Sequence, residues 1–143
     1  RERAPNARFV RQDFRDWDPD EAVDLIFANE NEARAWTGKD SISDAMNELK
    51  KIARTLVLTL GSKGALLFDG EQIVSIESFP TKAIDTNGAG DMFAGAFLYA
   101  ITNGKDFATA GKLASYAASR TVSYFGPRLP PAAHHEILQK ILM

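Results

Sequence analysis

Asp85-Thr86-Asn87-Gly88-Ala89-Gly90-Asp91 runs without a break into Met92-Phe93-Ala94-Gly95-Ala96-Phe97. Turn-forming residues give way to residues that suit a helix, so the stretch reads as a loop opening a helix. Gly88, Ala89 and Gly90 place minimal side chains at that entrance. The first amides of a helix lack intrahelical acceptors, and the macrodipole makes that end positive. Small residues let a phosphate come close to those donors. Asp91 falls in the first turn, where the dipole favours a carboxylate. Such a carboxylate can orient a hydroxyl, take its proton, and let the oxygen attack a phosphorus held by the loop. A bare Gly-Ala-Gly-Asp is more often a tight turn followed by a helix-favoured acid. The full run, with the small residues Ala94, Gly95 and Ala96 behind it, favours the chemical reading.

Upstream, the sequence alternates between strand and helix. Leu25-Ile26-Phe27-Ala28 is a continuous apolar run that reads as a buried strand. Asn29 to Trp36 suits a helix, with Asn29 or Asn31 as cap, Glu32 in the first turn, and Gly38 as its end. Ser41 to Ile52 forms a second helix, in which Ile42, Ala45, Met46, Leu49 and Ile52 recur at helical spacing. Thr55 to Leu60 is the strongest strand, rich in β-branched residues and halted by Gly61. Ala65–Phe68 and Gln72–Ile76 flank Asp69-Gly70, a hairpin signal. Phe79 to Ile84 leads into a short strand or loop. Downstream, helices are expected from Ala89 to about Tyr99, from Phe107 to Phe125, and from about Pro131 to Leu142. On the middle one, Leu113, Ala114, Ala117, Ala118, Thr121, Val122 and Phe125 form the apolar side. This order predicts an α/β domain with a mostly parallel, doubly wound sheet covered by helices on both faces.

Composition narrows the function classes. The 143 residues suffice for one domain, with 45% apolar and 25% charged side chains. Seventeen basic and 19 acidic residues give a formal net charge of −2, which suggests neither a nucleic-acid nor a membrane partner. There is no cysteine, so disulfides and thiolate chemistry are excluded; this is compatible with the cytoplasm, where the protein is expected. No apolar run approaches the roughly 20 residues of a membrane span. His134 and His135 are adjacent and diverge on a helix, which argues against a shared metal site. Trp17 and Trp36 read as packing or interface residues, while Lys50-Lys51 and the cluster from Asp18 to Glu21 read as charged surface.

Two further segments carry chemistry. Asn29-Glu30-Asn31-Glu32 places an amide and a carboxylate on one helical turn, a set that suits a water-clad magnesium ion. Alone, that spacing is more often a capping arrangement. Thr59-Leu60-Gly61-Ser62-Lys63-Gly64 follows the strong strand, and its two glycines permit close approach of a ligand to backbone. Taken by itself it is equally a turn into the next strand. Neither a Gly-x4-Gly-Lys-Ser/Thr loop nor a Gly-x-Gly-x-x-Gly fingerprint occurs anywhere.

The run from Asp85 to Phe97 resembles the phosphoryl-transfer motif of the ribokinase-like (pfkB-type) carbohydrate and nucleoside kinases. Asn29-x-x-Glu32 and Thr59-x-Gly61-x-x-Gly64 resemble two other elements of that family, in its order. The resemblance implies a three-layer ribokinase-like fold and transfer of phosphate from ATP to a hydroxymethyl group of a nucleoside or sugar. It makes Asp91 the general base, and the amides of Gly88, Ala89 and Gly90 the anion hole. Asn29, Thr59, Gly61, Ser62 and Gly64 would then face the nucleotide, with Ser115 near the base on a helix whose main role is packing. Asn29 and Glu32 would hold Mg²⁺ through water. Asp85, Asn87 and Gly126 are candidates for a monovalent cation such as K⁺. Phe27 to Ala33, with Asn87 in the main motif, is more similar to adenosine-kinase-type members than to sugar kinases. Family chains are longer, and the sequence opens with Arg1. Residues 1–143 are therefore expected to be the C-terminal, ATP-binding half. The N-terminal substrate and lid half, or a homo-oligomer partner, would complete it, and the piece alone would be inactive. The alternatives are a non-catalytic nucleotide- or nucleoside-binding module and a structural fragment of a larger assembly.

Overall fold

The computed structural model describes residues 22–142. Trp17 and the cluster from Asp18 to Glu21 therefore lie outside the described residues. Strand β1 (Val23–Asn29) leads into helices α1 (Glu30–Thr37) and α2 (Ile42–Leu49), then strand β2 (Ala53–Thr59). A 3₁₀ turn at Gly61–Lys63 precedes strands β3 (Ala65–Phe68) and β4 (Ile73–Ile76). Three helices follow: α3 (Ala89–Thr102), α4 (Phe107–Thr121) and α5 (Pro131–Leu142). Phe79 to Ile84 takes the loop alternative. Among the described residues no helix is long and apolar enough to cross a membrane.

The four strands stand in the order β1-β2-β3-β4. β1 and β2 are parallel, with Val23 opposite Ala53 and Asn29 opposite Thr59. That pairing needs a crossover, which α1 and α2 supply. β2–β3 and β3–β4 are antiparallel. The turns between these strands are too short for a crossover, so antiparallel pairs outnumber the parallel one in this four-stranded part of the sheet. Asp69 organises the second turn, its Oδ1 accepting from the amides of Glu71 (2.9 Å) and Gln72 (2.8 Å).

Helices cover both faces, giving the three layers expected of an α/β fold. Period-2 alternation decides which side chain goes where. Leu56 and Leu58 join Ile26 and Ala28 against Ala45, Met46 and Leu49 of α2. Val57, Leu67 and Ile76 point the other way, against Phe93 and Phe97 of α3 and Leu113 and Ala114 of α4. Phe97 is fully buried and meets Phe27 and Phe107 edge-on, at centroid distances of 5.7 and 5.1 Å. Trp36 packs at the margin of the α1–α2 cluster. Lys50 lies over the Phe68 ring at 4.3 Å, a cation–π contact rather than plain charged surface.

Helix α4 ends at Thr121, short of the expected Phe125. The reason lies in the groups that would carry it further. Val122 O accepts from the amides of Ile84 (2.7 Å) and Asp85 (3.2 Å), and the amide of Gly126 donates to Asp85 Oδ2 (3.0 Å). The bond that would extend the helix from Val122 to Gly126 is thereby replaced by two partners from a distant loop. Phe125 is left 85% exposed and is no part of the core.

Asp106 caps α4, its Oδ1 accepting from the Thr109 amide (2.7 Å) and its Oδ2 from the Thr109 hydroxyl (3.1 Å). The amide bond is the main reason its carboxyl lies below the ordinary 3.8, followed by the hydroxyl bond. Asp106→Ala is expected to cost about 0.5–1 kcal/mol, the lower part of the capping range because the site is exposed. The folded-state pKa is depressed, so this contribution is complete above the unfolded value of 3.8 and lost as pH falls through the folded one. Chemical denaturation of parent and variant at neutral and acid pH checks this, with the gap closing toward acid.

Candidate functional site

The parallel pair β1–β2 ends on one edge of the sheet, with Asn29 beside Thr59. In open α/β sheets ligands bind beyond the carboxyl ends of such strands. The chain leaves Thr59 through Leu60 and the Gly61–Lys63 turn, and re-enters the sheet after Gly64. Gly64 adopts φ +93°, and a Cβ there would lie 1.9 Å from the Ile76 carbonyl oxygen. No other residue lets this turn rest against the end of β4. Ser78 reinforces the contact by donating its hydroxyl to Ser62 O.

Above this edge lies a cleft of about 540 Å³. Thr59, Gly61, Ser62 and Gly64 form one side, and Thr86, Ala89 and Gly90 stand at the mouth of α3. Helix α4 contributes Ser115, Ala118 and Ser119, with Val122 just past its end, and the strand-to-loop segment contributes Ser78, Phe79, Pro80, Thr81 and Ala83. Two sequence elements far apart along the chain, the Thr59–Gly64 turn and the α3 entrance at Ala89 and Gly90, thus face one space. The Ser78–Ala83 wall is not foreseeable from the residues. Its only local signal is an aromatic residue and a proline in a stretch without periodicity.

The entrance to α3 is built as an anion-accepting end. Gly88 is the N-cap at φ 75°, with no side-chain cap on the helix. Ala89 donates weakly to Thr86 O (3.3 Å) and Met92 donates to Gly88 O (2.9 Å), whereas the amides of Gly88, Gly90 and Asp91 have no acceptor among the described residues. Unpaired donors and the positive end of the dipole therefore gather at the turn where Gly90 borders the cleft. Asp91 itself is exposed and borders a separate groove of about 490 Å³ between α3 and α5, beside Gly95, Ala96 and His134. Cleft and carboxylate thus lie on two flanks of one helical turn.

The loop before α3 is pinned from behind. Asp85 Oδ1 accepts from the Asn87 amide (2.9 Å) and Oδ2 from the Gly126 amide (3.0 Å). These backbone donors, Asn87 first and Gly126 second, hold its carboxyl below the ordinary range. Gly88 touches Pro127 so closely that a Cβ would fall 2.6 Å from the proline Cβ. Gly126 thus turns its amide, not its carbonyl, toward Asp85.

Other sequence-derived candidates sit as follows. Asn29 and Glu32 form a reciprocal capping box: Asn29 Oδ1 accepts from the Glu32 amide (2.9 Å), and Glu32 Oε2 accepts from the Asn29 amide (2.8 Å). Both are exposed at the strand-end edge and do not border the cleft. Lys63 spans toward them, its Nζ 3.9 Å from Glu30 Oε2. Ser115 borders the cleft but is 6% exposed, and its hydroxyl donates to Glu77 O (2.9 Å), fastening α4 to the end of β4. Among the described residues no three His, Asp or Glu side chains gather as a metal cluster. His134 and His135 are both exposed on α5.

The family described as pfkB family carbohydrate kinase matches residues 4–133 of this chain. Ribokinase of Lactococcus lactis is 35% identical over 104 residues, which cover 73% of this chain and 34% of that protein. The solved structure of adenosine kinase from Sinorhizobium meliloti superposes with a TM-score of 0.77 at 28% identity, over 82% of this chain and 36% of that one. Arabidopsis thaliana ribokinase, solved with ribose and ATP, gives a TM-score of 0.74 at 31% identity, over 84% and 41% of the two chains. The chain thus spans about a third of the length of the curated relatives it matches. A match across most of the sequence joins a ribokinase-like fold to a glycine-rich helix entrance above the strand ends: the chain belongs to the pfkB family of carbohydrate kinases.

Proposed function

We propose that this chain is the C-terminal, ATP-binding and catalytic half of a ribokinase-like small-molecule kinase. The reaction is phosphoryl transfer from ATP to a hydroxymethyl group of a nucleoside (adenosine-like) or a sugar. One observation carries this reading: among the described residues the amides of Gly90 and Asp91 have no acceptor, and they open at the border between the cleft and the Asp91 carboxylate. An anion hole and a base sit side by side on one rigid helix end, which suits in-line transfer between ligands held on its two flanks.

In this mechanism the Thr59–Gly64 turn supports the nucleotide, and the α3 amides hold the transferring phosphoryl group while negative charge gathers on its oxygens. Asp91 accepts the proton of the acceptor hydroxyl as its oxygen attacks the γ-phosphorus and the bond to the β–γ bridging oxygen breaks, leaving ADP. The free Glu32 carboxylate oxygen fits a hydrated Mg²⁺ held through water, since its other oxygen is committed to the Asn29 amide. When bound, that ion neutralises phosphate charge. A monovalent cation would belong at carbonyls around Asp85, Asn87 and Gly126, but this junction closes through its own hydrogen bonds, and no step is assigned to K⁺. The acceptor would be gripped by the N-terminal part of the kinase. β1 supports that reading, because its outer edge pairs with no other strand among the described residues.

In the complete enzyme, Asp91→Asn is expected to lower kcat about 10²–10⁴-fold with little change in ATP affinity, measured by steady-state kinetics with a nucleoside or sugar acceptor. Turnover near that of the parent would remove Asp91 from the base role.

The two loop glycines separate folding from binding. Nothing lies within 4 Å of a Cβ added at Gly90, so Gly90→Val should fold normally while its side chain crowds the cleft mouth. Gly88→Ala meets both a positive φ and Pro127. It should lose about 1–2 kcal/mol from the backbone conformation alone. Thermal unfolding and calorimetric titration with MgATP read the two effects, and a Gly90→Val protein that binds ATP normally would overturn the anion-hole assignment.

A further inference from the structure

The hydroxyls that border the cleft fall into two sets. Thr59 and Ser62 on the glycine turn, and Thr86 ahead of α3, keep hydroxyl protons with no acceptor among the described residues. Along α4 the protons are committed: Ser115 donates to Glu77 O (2.9 Å), and Ser119 donates to Tyr116 O (2.7 Å). A serine hydroxyl has one proton and two lone pairs, so each of these two offers a ligand lone pairs alone. They stand four residues apart, on one face of the helix. Phe79, held edge-on to Tyr116 at 5.0 Å, joins Ala118 and Val122 as apolar surface of the same cleft. No charged or amide side chain among the described residues borders it.

This sorting orients a nucleotide. Phosphate oxygens only accept, so they belong with donors, which the α3 amides and the free hydroxyls of Thr59, Ser62 and Thr86 supply. Against Ser115 and Ser119 a phosphate would meet lone pairs. The base is left to the α4 side, where the Phe79 ring and the aliphatic groups suit its faces. Purines differ at the 6-position: adenine carries an amino donor there, guanine and hypoxanthine a carbonyl acceptor. An acceptor-only hydroxyl gains a hydrogen bond from the first and opposes the lone pairs of the second. Ser115 is only 6% exposed and ties α4 to the end of β4, whereas Ser119 is half-buried and within reach of a ligand. Thr81, on the loop that also borders the cleft, keeps its hydroxyl proton but is exposed, where water competes for it. One mismatched hydrogen-bonding group shielded from water corresponds to about 5–150-fold in affinity.

We infer that Ser119 is a specificity-determining residue of the nucleotide site: its hydroxyl oxygen accepts from the 6-amino group of adenine and disfavours the 6-carbonyl of guanine and hypoxanthine. The inference rests on the reading of the cleft as the donor site. Its test is calorimetric titration of the complete enzyme with ATP, ITP and purine riboside triphosphate, which lacks any 6-substituent, each with Mg²⁺. Parent, Ser119→Ala and Thr81→Val are compared. The parent should bind ATP about 5–150-fold more tightly than ITP, with the unsubstituted purine between them. Ser119→Ala should bring all three within about threefold, while Thr81→Val keeps the parent's order and spacing. Alanine is the strongest helix former and the site is half-buried, so Ser119→Ala should fold, which thermal unfolding checks. Equal binding of ATP and ITP by the parent, a preference for ITP, an ATP preference that survives Ser119→Ala, or one abolished by Thr81→Val overturns the inference and leaves the donor site standing. Failure of the parent to bind any of the three overturns both the inference and the proposed function.

Discussion

Val122 and Gly126 stand four residues apart, the spacing at which an α-helix joins a carbonyl to an amide. Here each finds a partner elsewhere, the carbonyl on Ile84 and Asp85, the amide on the Asp85 carboxylate. One hydrogen-bonded turn of α4 is exchanged for three bonds to the loop that opens α3. The exchange keeps every one of these groups satisfied. Its mechanical result is that α4, which walls the cleft, and the glycine loop, which carries the unpaired amides, are one unit. Gly88 against Pro127 closes the same seam by contact. Preorganised donors act in catalysis only if they need not move when charge develops, and this seam is what holds them still.

The sheet contributes direction. The parallel pair delivers Asn29 and Thr59 to one edge, and the α1–α2 crossover is what makes that pair parallel. The antiparallel hairpin then returns the chain beneath the Thr59–Gly64 turn, where Gly64 lies against β4. Each face is covered, by α1 and α2 on one side and by α3, α4 and α5 on the other. Close packing of Phe27, Phe97 and Phe107 ties α3 to β1 and α4 across the core.

Much of this is legible in the residues. A continuous apolar run, a β-branched run and the Asp69-Gly70 dipeptide locate the strands, and Asn29, Ser41 and Gly38 mark the helix boundaries where they fall. Gly88-Ala89-Gly90 announces a helix entrance open to an anion, because small residues and a missing side-chain cap are local facts. The end of α4 is not legible: Phe125 continues the helical pattern, and only the distant Asp85 loop takes the hydrogen bonds that stop it. The Ser78–Ala83 wall is equally hidden, since a loop pressed against a helix has no periodicity to read. The family resemblance puts Ser115 near the cleft, but the bond that commits its hydroxyl to Glu77 depends on where β4 ends. Side-chain identity predicts chemistry well wherever the partners are neighbours in sequence.

The junction of Asp85 with Val122 and Gly126 also sets where this chain can change length. Asn103, Gly104 and Lys105, between α3 and α4, form an exposed bend that touches neither the loop nor the cleft, so extra residues there would bulge into solvent. Between Val122 and Gly126 a single inserted residue would shift one bonding group relative to the other while Asp85 stays put. Descendants of this sequence are therefore free to vary at the first connection and held to a fixed count at the second.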